Sequence, residues 1–280
     1  MRGTNRTAFG VLFSICFCHL NNDMLQSLLA AAYPALKIEF HLSFAQIGLV
    51  TLAYQLTASL LQPIVGLYAD RRPTPFSLPA GTLFTFTGLL VLAGAGGYAG
   101  LMTGACILGV GSSVFHPEAS RVARMASGGR PGLAQSLFQV GGNVGSALGP
   151  LGAAFVVLRW GRHALGGFSL LALVSTAILY GVGLWYRRHG LARVAGALEA
   201  SNSEALPGRL TATQLRASVA VLMTLIFSKF VYLASFTSYY TFYLMHHFRI
   251  SMASAQMHLF ALMAVVAPLL PSLGSRSTSP

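Results

Sequence analysis

The sequence predicts an all-α, polytopic membrane protein. Three observations carry that prediction. Apolar stretches of at least about 18 residues recur along the whole chain, the length that crosses a bilayer as helix. Of the 280 residues, 54% are hydrophobic and only 9% are charged, whereas a soluble domain carries about 25% charged residues. The charges are also placed rather than scattered. With the N-terminus on the cytoplasmic side, Arg2, Arg6, Arg71, Arg72, Arg121, Arg124, Arg130, Arg187, Arg188, Arg193, Arg209, Arg216 and Arg276 all fall inside. Lys37, Arg159, Arg162 and Arg249 fall outside, and Lys229 lies within a span. This positive-inside bias accounts for the formal net charge of +12 with the bilayer as partner and no nucleic acid.

The first span covers about residues 8 to 35. It begins like a signal peptide, but the polar cluster His19, Asn21, Asn22, Asp23 interrupts the apolar run before any plausible cleavage site. His19, Asn22, Asp23 and Gln26 follow i, i+3, i+4, i+7 spacing, so they share one helix face, which should turn towards the bundle interior. The second span, about 44 to 68, repeats the pattern with Thr51, Gln55, Ser59 and Gln62. The third (about 76 to 98) and fourth (about 100 to 121) are joined by an uncharged glycine-rich turn. A basic turn with Arg121, Arg124 and Arg130 leads into the fifth (about 132 to 158), and the sixth covers about 164 to 186.

Residues 1–186 therefore form a six-helix transmembrane bundle. Residues 187–215, with Arg187, Arg188, Arg193, Glu199, Glu204 and Arg209, contain no apolar run long enough to span and read as a cytoplasmic linker. Two further spans follow, about 216 to 245 and 254 to 270. The Pro/Ser-rich residues 271–280 form a tail.

Several chemistries are excluded. Cys16, Cys18 and Cys106 lie in apolar helix without any C-x-x-C spacing, so neither a disulfide nor a metal site is expected, and no cofactor. His116-Pro117-Glu118 matches the H-x-E of zinc deaminases but lacks their P-C-x-x-C partner. Gly109 and Gly111 lack the third glycine of a dinucleotide fingerprint. The chain is not expected to be an enzyme. Ionisable groups at membrane depth cost roughly 2.5 to 3.5 kcal/mol at a helix centre, so Asp23, Glu118 and Lys229 mark a pathway or a coupling site.

Two motifs carry a resemblance. Gly66-Leu-Tyr-Ala-Asp70-Arg71-Arg72, after the second span, resembles the G-x-x-x-D-[RK] loop motif of the major facilitator superfamily. Gly66 would permit close helix contact, Asp70 would cap or pair at neighbouring helix ends, and Arg71 would anchor at the anionic leaflet. Pro73, Thr74 and Pro75 stand where the family's later glycine and basic pair are usual. In the fifth span, Gly145-Ser-Ala-Leu-Gly149-Pro150-Leu-Gly152 resembles the signature of that superfamily's antiporter branches. Gly141, Gly145 and Gly149 recur at i+4 as a smooth packing face, with Gln135, Gln139, Asn143 and Ser146 nearly opposite.

Longer stretches look very like the fosmidomycin-resistance family, drug exporters of the bacterial inner membrane. They are HLNNDMLQSLL (19–29), QIGLVTLAYQL with LLQP (46–63), GSSVFHPEASRVARMASGGRPGLAQSLFQVGGN (111–143) and FSKFVYLASFTSYYTFYLM (227–245). The resemblance implies a monomer with a cytoplasmic N-terminus that exports a small phosphonate drug in exchange for protons. It also implies a second six-helix half, of which this chain supplies two helices. The chain is therefore expected to be C-terminally truncated, with a tail unlike the family after Ala267.

An anionic substrate needs a cation, and Lys229 is the Lys or Arg placed deep in a span. Arg121, Gln55, Gln139, Asn143, Tyr232 and Tyr239 are the other substrate-binding candidates. Proton coupling needs a carboxylate whose charge changes, and Asp23 and Glu118 are the candidates, with His116 a third. Glu118 and Arg121 are i, i+3 and pair equally well as a clasp. Two other readings stay open on the sequence alone: an inactive membrane-embedded fragment, and a facilitator for another small anion without proton coupling.

Overall fold

The computed structural model describes residues 7–72, 74–190 and 211–275. Most of the expected linker and the end of the tail lie outside the described residues, as do the side chains of Asp70, Arg71 and Lys229. The described residues form helices joined by short turns, with no strand among them. The helices are α1 (Phe9–Glu39), α2 (Phe44–Arg71), α3 (Ser77–Ala93), α4 (Tyr98–Ala126), α5 (Pro131–Gly152), α6 (Ala164–Trp185), α7 (Ala212–His247) and α8 (Met252–Ser275). α5 runs on through a π-helical turn, Ala153–Val157, into Leu158–Trp160. A second π turn, Tyr186–Gly190, extends α6.

Local chemistry sets the ends. Ser43 and Gln46 form a reciprocal capping box at the start of α2, and Thr211 and Gln214 do the same for α7. Pro131 opens α5 at the position where a missing N–H costs nothing. Three helix ends differ most from expectation. α3 stops at Ala93, where Gly94, Gly96 and Gly97 no longer favour helix. α4 continues to Ala126, so Arg121 and Arg124 lie on a helix rather than in a turn. α8 continues past Leu270 to Ser275, into the stretch read as tail. Backbone groups in an apolar setting are best satisfied by staying helical.

Among the described residues, four helices are long and apolar enough to cross a membrane: Phe44–Ala69, Tyr98–Ala126, Pro131–Trp160 and Ala164–His189. α1 has 31 residues, but the buried polar stripe His19, Asn21, Asn22 dilutes its hydropathy. α3 has 17 residues and is slightly shorter than a full span. Leu60, Leu67, Phe155 and Leu170 are exposed on the outer surface, as expected where lipid is the solvent.

The most extensive helix contact is α1 against α5. α4 packs against both α2 and α3, α3 against α6, and α8 against α5. Two apolar cores result. One gathers Leu25, Leu29, Leu92 and Leu108, and the other Leu12, Ile15, Phe115 and Phe138. Between them, on α1 and α4, lies a polar layer at residues 19–23 and 112–116. α7 joins the bundle through its last part, where Ser238, Thr241 and Leu244 are buried, while Leu215, Val219 and Leu222 near its start are exposed.

Candidate functional site

The polar layer converges on Asp23. His19 and Asp23 are one helical turn apart on α1, and the His19 Nε2 atom lies 3.3 Å from Asp23 Oδ2. From α4, His116 Nε2 lies 3.3 Å from Asp23 Oδ1. The Asn22 amide donates to the same Oδ1 at 3.1 Å. The two imidazole nitrogens and the carboxylate all lie within 4.8 Å of one another.

Both rings are oriented from behind. His19 Nδ1 is 2.7 Å from the Phe138 carbonyl of α5, and His116 Nδ1 is 3.0 Å from the Ser112 carbonyl. A carbonyl oxygen only accepts, so each Nδ1 carries the hydrogen and each Nε2 is the atom turned on Asp23. The His19 ring also stacks on the Phe138 ring, with centroids 3.8 Å apart. His19 is 3% exposed, Asp23 17% and His116 28%, so the cluster is closed behind His19 and open at His116.

The glycines of α5 make this arrangement possible. A Cβ at Gly141 or Gly145 would overlap the backbone carbonyls of Cys16 or Leu20, and one at Gly149 would overlap Ser27. The expected smooth face therefore receives α1 at backbone distance. Gly142 does something different. A Cβ there would lie 2.7 Å from both Asp23 Oδ2 and His19 Nε2, so its missing side chain is the space the cluster fills.

Glu118 is not part of this constellation. It is buried and accepts from the Ser77 hydroxyl at 3.2 Å. Arg121 Nη1 lies 3.7 Å from Glu118 Oε1 and donates to the Ala69 carbonyl. Glu118 and Arg121 thus tie the end of α2 and the start of α3 to α4, away from Asp23. Arg121 lies in this clasp.

Gln139 is exposed, and Asn143 and Gln55 are half-buried. Tyr232 is exposed on α7. Tyr239 donates to the Phe44 carbonyl at 3.2 Å, which ties α7 to the start of α2. Lys229 lies on α7, but its side chain is outside the described residues, as are those of Asp70 and Arg71. Among the described residues no atom lies within 4 Å of a Cβ at Gly66, and the close helix contact expected of it is not found among them. Instead α2 stands off from α3 there, leaving an apolar cavity of about 700 Å³ lined by Ile64, Tyr68, Phe76 and Phe84. Pro150 lies buried inside α5, one residue after Gly149.

From sequence, His19 is one more residue of the polar face, with no role of its own, and Gly142 carries no mark. The i, i+4 pairing of His19 with Asp23 is a usable signal. So is the second glycine of the Gly141-Gly142 pair, which breaks the i+4 register.

Comparisons with known proteins agree with this architecture. The family model described as Major Facilitator Superfamily matches residues 15–279, through the stretch after Ala267 that was expected to fall outside the family. The chain is 50% identical over 263 residues to the fosmidomycin resistance protein of Escherichia coli (strain K12), covering 94% of this chain and 63% of that protein. It is 34% identical to the uncharacterized MFS-type transporter YfnC of Bacillus subtilis (strain 168), covering 91% of this chain and 62% of that one. The chain thus spans just under two thirds of the length of these relatives. Among solved structures, a D-xylose-proton symporter superposes with a TM-score of 0.71 at 16% identity, covering 94% of this chain and 67% of that one. A peptide transporter POT (E310Q mutant) superposes with a TM-score of 0.55 at 19% identity, covering 80% and 46%. At such identities the likeness is one of fold.

Proposed function

The chain belongs to the Major Facilitator Superfamily of membrane transporters, and from that premise we propose that it is built for proton-coupled efflux of a small anionic drug of the fosmidomycin type. The similarity to a protein named for fosmidomycin resistance supports the substrate class. The observation that carries the coupling is the convergence of His19 and His116 on the carboxylate of Asp23, in a layer between two apolar cores. Asp23 and His116 are the pair at which the coupling proton is exchanged, and Glu118 holds helices together.

Lys229, the cation placed deep in α7 by sequence, is the group that attracts the anion. Gln55, Gln139, Asn143 and Tyr232 are the polar and aromatic groups that accompany it. The N-terminus lies on the cytoplasmic side of a bacterial inner membrane, following the arginine bias, and export proceeds by rocking of two helix bundles about this layer.

The test is drug tolerance in a fosmidomycin-sensitive bacterium. This chain is compared with a version extended by a family-like second half. Tolerance from the extended version, lost on Asp23→Asn or Lys229→Ala, is the expected result. If the extended version gives no tolerance, the substrate reading is wrong. Tolerance that survives Asp23→Asn removes that carboxylate from the coupling.

A further inference from the structure

We propose that His19 Nε2, His116 Nε2 and one Asp23 oxygen form a binding site for a divalent transition-metal ion of the zinc class. The site is the cluster on which the transport reading rests, but metal binding requires neither transport nor proton exchange.

The spacing suits such an ion. Bonds of about 2.0 to 2.2 Å at tetrahedral angles set ligand atoms roughly 3.3 to 3.6 Å apart. Each imidazole stands 3.3 Å from a carboxylate oxygen, His19 from Oδ2 and His116 from Oδ1, so a single oxygen meets one ring at that distance and the other within 4.8 Å. The third edge, between the two imidazole nitrogens, is within 4.8 Å. Both wider edges close when the half-exposed His116 ring swings inward by roughly 1 Å, to the separation that zinc bond lengths set.

The orientation suits it as well. Metal-ligating histidines donate their second ring N–H to a carbonyl or carboxylate, which fixes the tautomer. Both rings here do this, to the Phe138 and Ser112 carbonyls. Each Nε2 therefore faces a carboxylate oxygen, and a cation bound between them would take the place of the proton that such a contact shares. The Asn22 amide holds Oδ1 in place, and Gly142 leaves the room in which the His19–Asp23 pair sits.

The donor set selects the metal. Two imidazoles and one carboxylate match zinc, cobalt or nickel, whereas magnesium and calcium take mostly oxygen ligands. Three protein ligands leave one position for water, an open site. The exposure of His116 and Asp23 provides the entry path.

Purified full chain in detergent, carrying a tag free of histidine, is titrated with Co²⁺ as the probe, because four-coordinate cobalt gives a visible band far stronger than the hexaaqua ion. The expected result is one ion per chain, displaced by Zn²⁺. His116→Ala and Asp23→Asn should each weaken binding by about tenfold or more, the scale already seen when only an outer-shell partner is lost. His258→Ala, on α8 and hydrogen-bonded within its own helix, should leave binding unchanged. A missing saturable band, or a band kept at full affinity in monodisperse His116→Ala protein, overturns the proposal. Drug tolerance reads the transport function, so either reading can fail alone.

Discussion

Gly142→Ala probes the cluster through a single methyl group. Its Cβ would lie 2.7 Å from Asp23 Oδ2 and from His19 Nε2, whereas ordinary contact begins at 3.4 Å. The pair must then retreat by at least about 0.7 Å, and His19 Cε1, the atom nearest the added methyl, by more. His19 has nowhere to go, because its ring is stacked on Phe138 at 3.8 Å and flanked by Phe115 at 5.8 Å. Retreat of Asp23 stretches the 3.3 Å contact to about 4 Å, beyond hydrogen-bond reach, and leaves the overlap with the held imidazole in place. Overpacking costs about 1 to 3 kcal/mol, and losing a charge-assisted hydrogen bond about 1.5 to 3. Exchanging glycine for alanine in a helix returns about 1 kcal/mol, so the net loss is about 1.5 to 5 kcal/mol. Gly181→Ala, where the added methyl meets nothing within 4 Å, is the control and should gain about 0.5 to 1 kcal/mol. Thermal unfolding of the two purified variants in one detergent reads the difference. A Gly142→Ala protein that melts at or above Gly181→Ala refutes the steric account of the cluster.

Gly145→Val drives a side chain into the Leu20 carbonyl, and backbone cannot yield on either side. The α1–α5 contact should open, seen as loss of monodisperse protein on size exclusion, while Gly167→Ala leaves the elution profile intact. Glu118→Gln removes the negative partner of Arg121 and should cost about 2 kcal/mol of unfolding free energy. A double-mutant cycle with Arg121→Gln should show coupling, and strictly additive effects would remove the clasp. Gln256→Leu deletes the amide donor to the Ala31 carbonyl, 2.6 Å away, and should cost about 1 kcal/mol with faster proteolysis of α8.

The fold was legible in the sequence because bilayer helices declare themselves by length and apolarity. The polar stripe of α1 was legible as well, since i, i+4 spacing fixes which residues share a face. The pairing across helices was not. Asp23 and Glu118 have the same composition-level signature, a lone carboxylate in an apolar helix. What separates them is that α4 presents His116 to α1 and presents Glu118 to Ser77 and Arg121. Helical periodicity places residues on a face of their own helix but does not say which neighbour that face meets. Gly66 is a related case, since among the described residues no atom lies within 4 Å of a Cβ there. A glycine near a helix end resembles a packing residue whether or not another helix arrives.

The α1–α5 seam and the Asp23 cluster have one cause. In lipid, apolar burial does not drive helices together, so close packing and polar contacts must. Small residues at 141, 145 and 149 let α1 approach α5 at backbone distance. That approach is what brings the Phe138 carbonyl within 2.7 Å of His19 and fixes its ring. A looser seam would free the His19 Nδ1 hydrogen for water and let the imidazole turn. The glycine spacing that reads as a packing motif is therefore also what orients the site. Variants that widen the seam without touching Asp23, Gly145→Ala among them, should disturb the cluster's chemistry as surely as they disturb the fold.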